Sequence, residues 1–515
     1  MSDTQPSTTR EELTQRERTP LRERIRENPS PFLRWAGVLA FLFVLEFGTY
    51  ASLFVTMTDA VWIGVTGLLD AFVGLVSPAA GASIHAVQQD VSTFIDGLAR
   101  FFQSLPTAFS RETIPNQGYR TGPDGPWAGT FMGLSPAMAW ALRFSLIMLY
   151  AFFTLYWLFR GWVVYRDHYR HAEWTPTDDV VRRLKGHRWG QFGIVVLAIF
   201  LIMAVFGPAL GPTTVEQNIQ SPYSHTIKYF SEEANEVKEI KVGDANFNSK
   251  SKGAGDQNVG PMEYDKFGRF HPFGTLTNGR DLFTFMMGGA RITLIVAGLA
   301  ISTASIIAAT LSMVSAYYAG RVDLTILTTA EGVMSIPRLL LLIMVSAVFA
   351  NHWLGKVLDG GFLLALIFAF TTWPFLWRAV RGPALQVAQE EWIKAAKSFG
   401  QPSPQIMRKH MLPYVLGYLL VYASMSTGGI IIGLAALSFL GNGLGISPPT
   451  PAWGRAVSLG QTYVSSQSWH ISLIPGLMIV FLVTGLNAFG DGIRDAIDPE
   501  SIGTEGEEAA AGGGA

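Results

Sequence analysis

Long apolar runs separated by short polar stretches set the frame of this chain. Runs approaching the roughly 20 apolar residues that cross about 30 Å of hydrocarbon as helix fall at 35–56, 138–159, 191–211, 292–318, 337–354, 361–379, 414–437 and 471–490. A further run, Val61–Val76, is short and holds Asp70. It reads as an interfacial or re-entrant helix, because a ninth span would put the two termini on opposite sides of the membrane. The pattern predicts an all-α, polytopic membrane protein with eight spans. Residues 212–290 are polar and mixed in charge, and form a long outer segment. The small, acidic C-terminal tail, 499–515, predicts disorder.

Composition sharpens this picture. Of 515 residues, 49% are hydrophobic and 15% are charged, against about 25% charged in an average soluble domain. A net charge of −1 points to no nucleic-acid partner, and zero cysteines exclude disulfides, thiolate metal sites and a Cys nucleophile. The first 30 residues are charged and polar, without the apolar core of a signal peptide.

Lys/Arg bias in short loops sets orientation. Arg160, Arg166, Arg170, Arg182, Arg183, Lys185 and Arg188 place 160–188 in the cytoplasm, and Arg378, Arg381, Lys394, Lys397, Arg408 and Lys409 do the same for 378–410. Both termini are then cytoplasmic, in a multi-pass protein of the cell membrane in contact with lipid. The expected units are a 1–34 tail, a 35–162 two-span extension, a 163–189 basic linker and a 190–498 six-span core.

One polar island stands out between two spans: Glu390 to Pro413, EEWIKAAKSFGQPSPQIMRKHMLP. Glu390 and Glu391 suit a helix N-terminus. Trp392, Ala396 and Phe399 share a face at i, i+4 and i+7. Gly400 can take the left-handed stop, and Pro402 and Pro404 end the helix. A helix of about ten residues over 390–400 follows, with a second piece from Gln405 to Leu412, and Pro413 opening the next span. Physics alone leaves two readings open: a helix resting on lipid headgroups, or one whose Ala395–Ala396 pair admits another protein surface.

At these residues the sequence resembles a known family. Glu391, Ala395, Ala396, Gly400, Ile406, Leu412 and Pro413 match the EAA-type motif of ABC importer permeases. His271-Pro272-Phe273-Gly274-Thr275 with Gly279-Arg280-Asp281 resembles a signature of the dipeptide/oligopeptide/nickel branch, in its C-type permease subunit. Ser438–Gly441, Pro448–Gly454 and Gly490–Pro499 resemble later stretches of that branch in order. Leu276 and Leu434 depart from it, as does a longer GNGLGIS stretch.

The resemblance implies a type I permease core whose coupling helix docks on a separate ATPase through Glu391, Ala395, Ala396, Gly400, Leu412 and Pro413. It also implies a second homologous permease, two ABC ATPase subunits that use ATP and Mg, an extracellular solute-binding protein, and no cofactor in this chain. The alternatives are an ATP-independent secondary carrier or channel, and a membrane scaffold. The first 160 residues lie outside the resemblance.

Other chemistry finds little footing. No G-x-x-x-x-G-K-[ST] phosphate loop occurs. The sequence holds neither H-E-x-x-H nor a G-x-S-x-G elbow, so no catalytic or metal-binding residue is expected. Span centres in 190–498 carry no acid of the kind an ion-coupled carrier uses. Glu46, inside the first span, reads as a neutral or paired structural residue, with pairing to Arg143 or a polar cavity as alternatives. Arg143 and Arg160 read as interface anchors.

Overall fold

The computed structural model describes residues 20–497 except positions 106, 173, 351, 442 and 443. The acidic tail at 499–515 and residues 1–19 lie outside the described residues. The extension comprises α1 (Leu21–Glu27), α2 (Pro29–Leu45), α3 (Phe47–Val76), α4 (Pro78–Ser104), a two-residue hairpin of β1 (Tyr119–Arg120) and β2 (Trp127–Ala128), and α5 (Pro136–His168). Then follow α6 (Pro176–Gly186) and α7 (Arg188–Leu210). A small subdomain carries the hairpin β3 (Thr226–Ser231) and β4 (Glu236–Lys241), α8 (Val242–Phe247), and the pair β5 (Glu263–Tyr264) and β6 (Phe270–His271). The rest is helical: α9 (Leu282–Tyr318), α10 (Gly320–Met334), α11 (Arg338–Val348), α12 (Gly361–Ala388), α13 (Glu391–Ser398), α14 (Ser403–Ile406), α15 (Leu412–Leu440), α16 (Trp453–Gly460) and α17 (His470–Ile497).

Among the described residues six helical segments are long and apolar enough to cross a membrane, and two sharply bent pairs raise the number to eight. The bent pairs are α1 with α2 (101°) and α10 with α11 (78°). They sit where hydropathy put its first and fifth spans, so both of those spans need correction. The run at 35–56 breaks at Glu46. There the Ala108 amide donates to Leu45 O (3.0 Å) and the Phe109 amide to Glu46 Oε1 (3.1 Å), while the Thr49 hydroxyl donates to Oε2 (2.9 Å). A loop inserted from 60 residues downstream interrupts the helix, which no local pattern foretells. Among the described residues no ion pair joins Glu46 to Arg143.

The helix restarts at Phe47. Val61–Val76 is therefore the second half of a 30-residue helix, about 45 Å long, rather than a short separate element. The α3 helix packs antiparallel on α4, Gly48 against Phe102. The run at 337–354 contributes only the 11 residues of α11, about 16 Å, and α10 precedes it across the Pro337 break.

The basic stretch 163–189 is a linker only in part. Helix α5 runs on to His168, and α6 opens on a capping box between Thr175 and Asp178, which satisfies two orphan amides at once. Helix α6 then packs on the end of α17, Arg183 donating to Ala496 O (3.1 Å) and His187 pairing with Asp495 (3.0 Å). Close approach of α7 and α17 follows from paired glycines: a Cβ on Gly492 would come within 2.6 Å of the Gly190 Cα. On α9, Ala300, Ala304 and Ala308 are wholly buried at successive turns and let α12 lie close.

The extension grips the core at the end of α7. The last carbonyls of a helix lack intrahelical partners, and here the final carbonyl of α7, at Leu210, and the next three beyond its end accept from extension side chains. Trp140 Nε1 donates to Leu210 O (2.9 Å), Arg143 Nη2 and Arg111 Nη2 to Gly211 O (2.7 and 2.6 Å), Asn116 Nδ2 to Pro212 O (2.9 Å), and Arg111 again to Thr213 O (2.7 Å). Cations there also suit the negative helix end. Arg143 is thus no interface anchor: it is fully buried and also holds Ile114 O and Asn116 Oδ1. Arg143→Met should leave buried acceptors unmet at a cost of about 1–3 kcal/mol. After proteolytic nicking in 169–175, the variant's extension should separate from the core in detergent while the wild-type fragments stay together. Equal retention of both would refute the clamp.

Candidate functional site

Two regions carry the residues singled out by sequence, and they lie at opposite ends of α9. This helix has 37 residues, about 55 Å. Its N-terminus rises from the 212–281 subdomain. Its C-terminal turn touches the island, where Lys397 Nζ sits 4.1 Å from the Tyr317 ring centre and the Tyr318 hydroxyl lies 3.2 Å from Ser403 Oγ.

The signature residues 271–281 form a tight turn that seats α9. Asp281 is its N-cap, accepting from the Thr284 amide (2.6 Å). Its own amide donates to Asn218 Oδ1 (2.8 Å). Gly274 O accepts from the Leu282 amide, and Leu276 binds Arg280 O and the Gly279 amide. Gly279 has φ +79°, and a Cβ there would collide with the backbone of Asn246. Pro272 and Phe273 complete the turn, with the Phe273 ring packed on Phe283 (4.8 Å). Leu276, which departs from the resembled signature, is wholly buried.

Beneath the turn lies an ionic network. His271 Nδ1 meets Asp281 Oδ2 at 2.8 Å, and Nε2 lies 3.5 Å from Asp265 Oδ2. Arg269 pairs with Asp265 at 2.7 Å and reaches Asn246 Oδ1 (2.7 Å). Burial pushes the His271 pKa down, but hydrogen bonds and charge from Asp265 and Asp281 outweigh it and raise the pKa above its ordinary value. Burial also opposes ionisation of Asp265, yet the Arg269 and His271 charges hold it well below the usual carboxylate range.

Linkage then fixes the pH behaviour. The His271 contribution is complete below its unfolded pKa of about 6.5 and is lost as pH rises through the higher folded value. The Asp265 contribution is complete above about 3.9 and is lost as pH falls through the lower folded value. Thermal stability of this subdomain should be greatest between about pH 4 and 6.5 and decline on the alkaline side. A profile that rises steadily to pH 8, or one unchanged in Asp265→Asn, would contradict this.

The island folds as a capped, pinned helix. Glu390 is the N-cap of α13, and its other end is a Schellman turn: Gln401 N donates to Ala396 O (3.1 Å), and Gly400 N to Lys397 O (3.0 Å), with Gly400 at φ +73°. The packed face differs from the expected Trp392–Ala396–Phe399 stripe. Ile393 is the fully buried anchor, joined with Ile406, Met411 and Val415 to a cluster on α9 and α12. Trp392 is 38% exposed and stacks on Tyr414, and Phe399 is 90% exposed.

Glu391, Ala395 and Gly400 are also exposed, and Ala396 is half-buried. Leu412 packs into the cluster, away from that open face, whereas Pro413 is exposed. Residues 407–411 form a π-turn before α15. A wider turn suits Pro413, which has no amide to give and would crowd a preceding carbonyl. Arg381 pairs with Asp323, tying α12 to α10.

Sequence reading missed Ile393, whose pairing with Ala396 at i+3 was legible. It also missed Asp265, Asn218 and Asn246, which no spacing rule connects to His271. Among the described residues no group of three or more His, Cys, Asp or Glu could hold a metal.

Six continuous spans, a folded subdomain at one end and a capped amphipathic helix at the other define a polytopic membrane permease. The model of the family described as binding-protein-dependent transport system inner membrane component matches residues 284–502, and that described as the N-terminal TM domain of oligopeptide transport permease C matches 175–226. The chain belongs to this family of transport permeases. It is 30% identical over 326 residues to the dipeptide transport system permease protein DppC of Alkalihalophilus pseudofirmus, covering 63% of this chain and 90% of that one. It is 35% identical over 235 residues to the probable D,D-dipeptide transport system permease protein DdpC of Escherichia coli, covering 46% and 75%. It is 33% identical over 232 residues to the oligopeptide transport system permease protein OppC of Haemophilus influenzae, covering 45% and 71%. Residues before 175 lie outside both family-model matches.

Proposed function

We propose that this chain is one permease subunit of an ATP-driven importer that moves short peptides or similar solutes inward by alternating access. It works with a sister permease, two ATPase subunits that bind ATP and Mg, and a solute-binding protein outside. The chain itself is non-catalytic and its termini face the cytoplasm.

The observation that carries this reading is α13. A short helix closed by a Schellman turn at Gly400 and pinned by the buried Ile393 side chain moves as a rigid piece with the helices it joins. Its open face, with Glu391, Ala395, Gly400 and the exposed Phe399, is the surface offered to an ATPase. Helix α12 ends just before α13, and α14 with the 407–411 turn leads on to α15; Ile393, Ile406, Met411 and Val415 share one buried cluster, which ties displacement of α13 to both spans. The basic residues around α5–α6 and α12–α14 gather at this same end, in keeping with a cytoplasmic side. Relatives named as dipeptide and oligopeptide permeases support the solute class.

The test is uptake of a labelled dipeptide by vesicles holding the complete complex. Uptake should need ATP on the α13 side and binding protein on the other. Uptake driven by an ion gradient without ATP would overturn the reading.

A further inference from the structure

The extension and the 212–281 subdomain enclose a cavity of about 310 Å³. Gln117, Gly118 and Tyr119 of the extension line one side, and Thr226, Ile227 and Lys228 of β3 the other. β3 pairs only with β4 among the described residues, and no residue of β4 lines the cavity. The free edge of β3 therefore borders it, and such an edge presents unpaired backbone groups to an extended chain.

The floor is the start of α9. Asp281 and His271 are both there, with Arg269 beside them. The His271 side chain is 2% exposed and sits between two carboxylates, Nδ1 on Asp281 at 2.8 Å and Nε2 3.5 Å from Asp265. Asp281 is already engaged by His271 and the Thr284 amide. Among the lining charges, Arg269 and His271 are already paired with Asp265 and Asp281, which leaves Lys228 to meet a ligand. Lys228 lies at 3.7 Å from its nearest acid, Glu239, with 55% of its side chain exposed, so its ammonium can turn to a ligand. Apolar walls at Phe267 and Phe270 leave room for side chains.

We propose that this cavity binds a short peptide in extended form, its backbone along the β3 edge and its free carboxylate toward Lys228. The proposal rests on the reading of the chain as a peptide permease and adds a binding site that the extension half-builds. Asn116–Tyr119 precede both family-model matches, so the site depends on a part of this chain that those models do not contain.

The probe is trialanine and its C-terminal amide, titrated calorimetrically against the full chain in lipid nanodiscs. Trialanine should bind saturably and the amide about tenfold more weakly. Lys228→Gln should weaken trialanine by about tenfold while thermal unfolding stays nearly unchanged, as expected for an exposed side chain. Thr226→Trp, which fills the slot, should abolish binding. No saturation up to about 10 mM, equal affinity for acid and amide, or wild-type affinity in both variants would overturn the site. ATP-driven uptake by the whole complex is read in parallel. Normal uptake without binding here sinks this site and leaves the permease reading intact, whereas ATP-independent uptake sinks that reading, with binding by the isolated chain still measured directly.

Discussion

His271→Ala should destabilise the 212–281 subdomain by about 3–5 kcal/mol, the usual consequence of removing one member of a buried ion pair. His271 stands between two carboxylates that are each 1% exposed on their side chains. Without it Asp281 loses its cation, and Asp265 keeps only Arg269. The N-cap of α9 is then held by a carboxylate with no countercharge, so the turn that seats this long helix loosens. Trypsin should cut the variant at the lysines of β3 and β4 under conditions that leave the wild type whole, and thermal unfolding in detergent should begin earlier. His271→Gln keeps one donor in place and should recover part of the loss. A variant within about 0.5 kcal/mol of wild type would mean that the network does not hold the subdomain.

Gly400→Val should uncouple transport while leaving the spans intact. Gly400 is left-handed at φ +73° and a Cβ there meets nothing within 4 Å, so the penalty is backbone strain alone. For an ordinary residue that strain is roughly 1–2 kcal/mol, and a β-branched residue suits the conformation least. The Schellman turn opens, and α13 loses the fixed end on which Phe399 stands. Ile393 remains buried, so insertion and assembly persist. A cost of that size weakens a docking equilibrium roughly five- to thirtyfold, and ATP-driven uptake should fall by a similar factor with the unfolding temperature nearly unchanged. Glu391→Lys should act in the same direction, since it puts positive charge at the helix N-terminus and on the offered face. Full transport by both variants would remove α13 from the mechanism.

What was legible in the sequence was legible for local reasons. The Gly400 stop follows from neighbouring residues, because that cap is made within one turn, and the acidic start at Glu390 and Glu391 suits the helix dipole. The expected face of α13 went astray for the converse reason. Trp392 and Phe399 are the larger side chains, but the cleft between α9 and α12 receives Ile393. The first apolar run looked continuous because hydropathy is blind to Ala108 and Phe109, whose amides meet that run at Leu45 and Glu46.

By itself the sequence determined an all-α membrane architecture, the number of apolar runs, and a stop at Gly400. Each rests on side-chain hydrophobicity or on backbone preferences within a few residues. Only the tertiary structure decided that Arg143 is a buried clamp, that His271 sits between Asp265 and Asp281, and that extension and subdomain share a cavity. Those contacts join residues 6 and 10 positions apart at His271 and more than 100 apart across the cavity, and burial and ionic pairing are properties of that assembled neighbourhood, not of any stretch of chain.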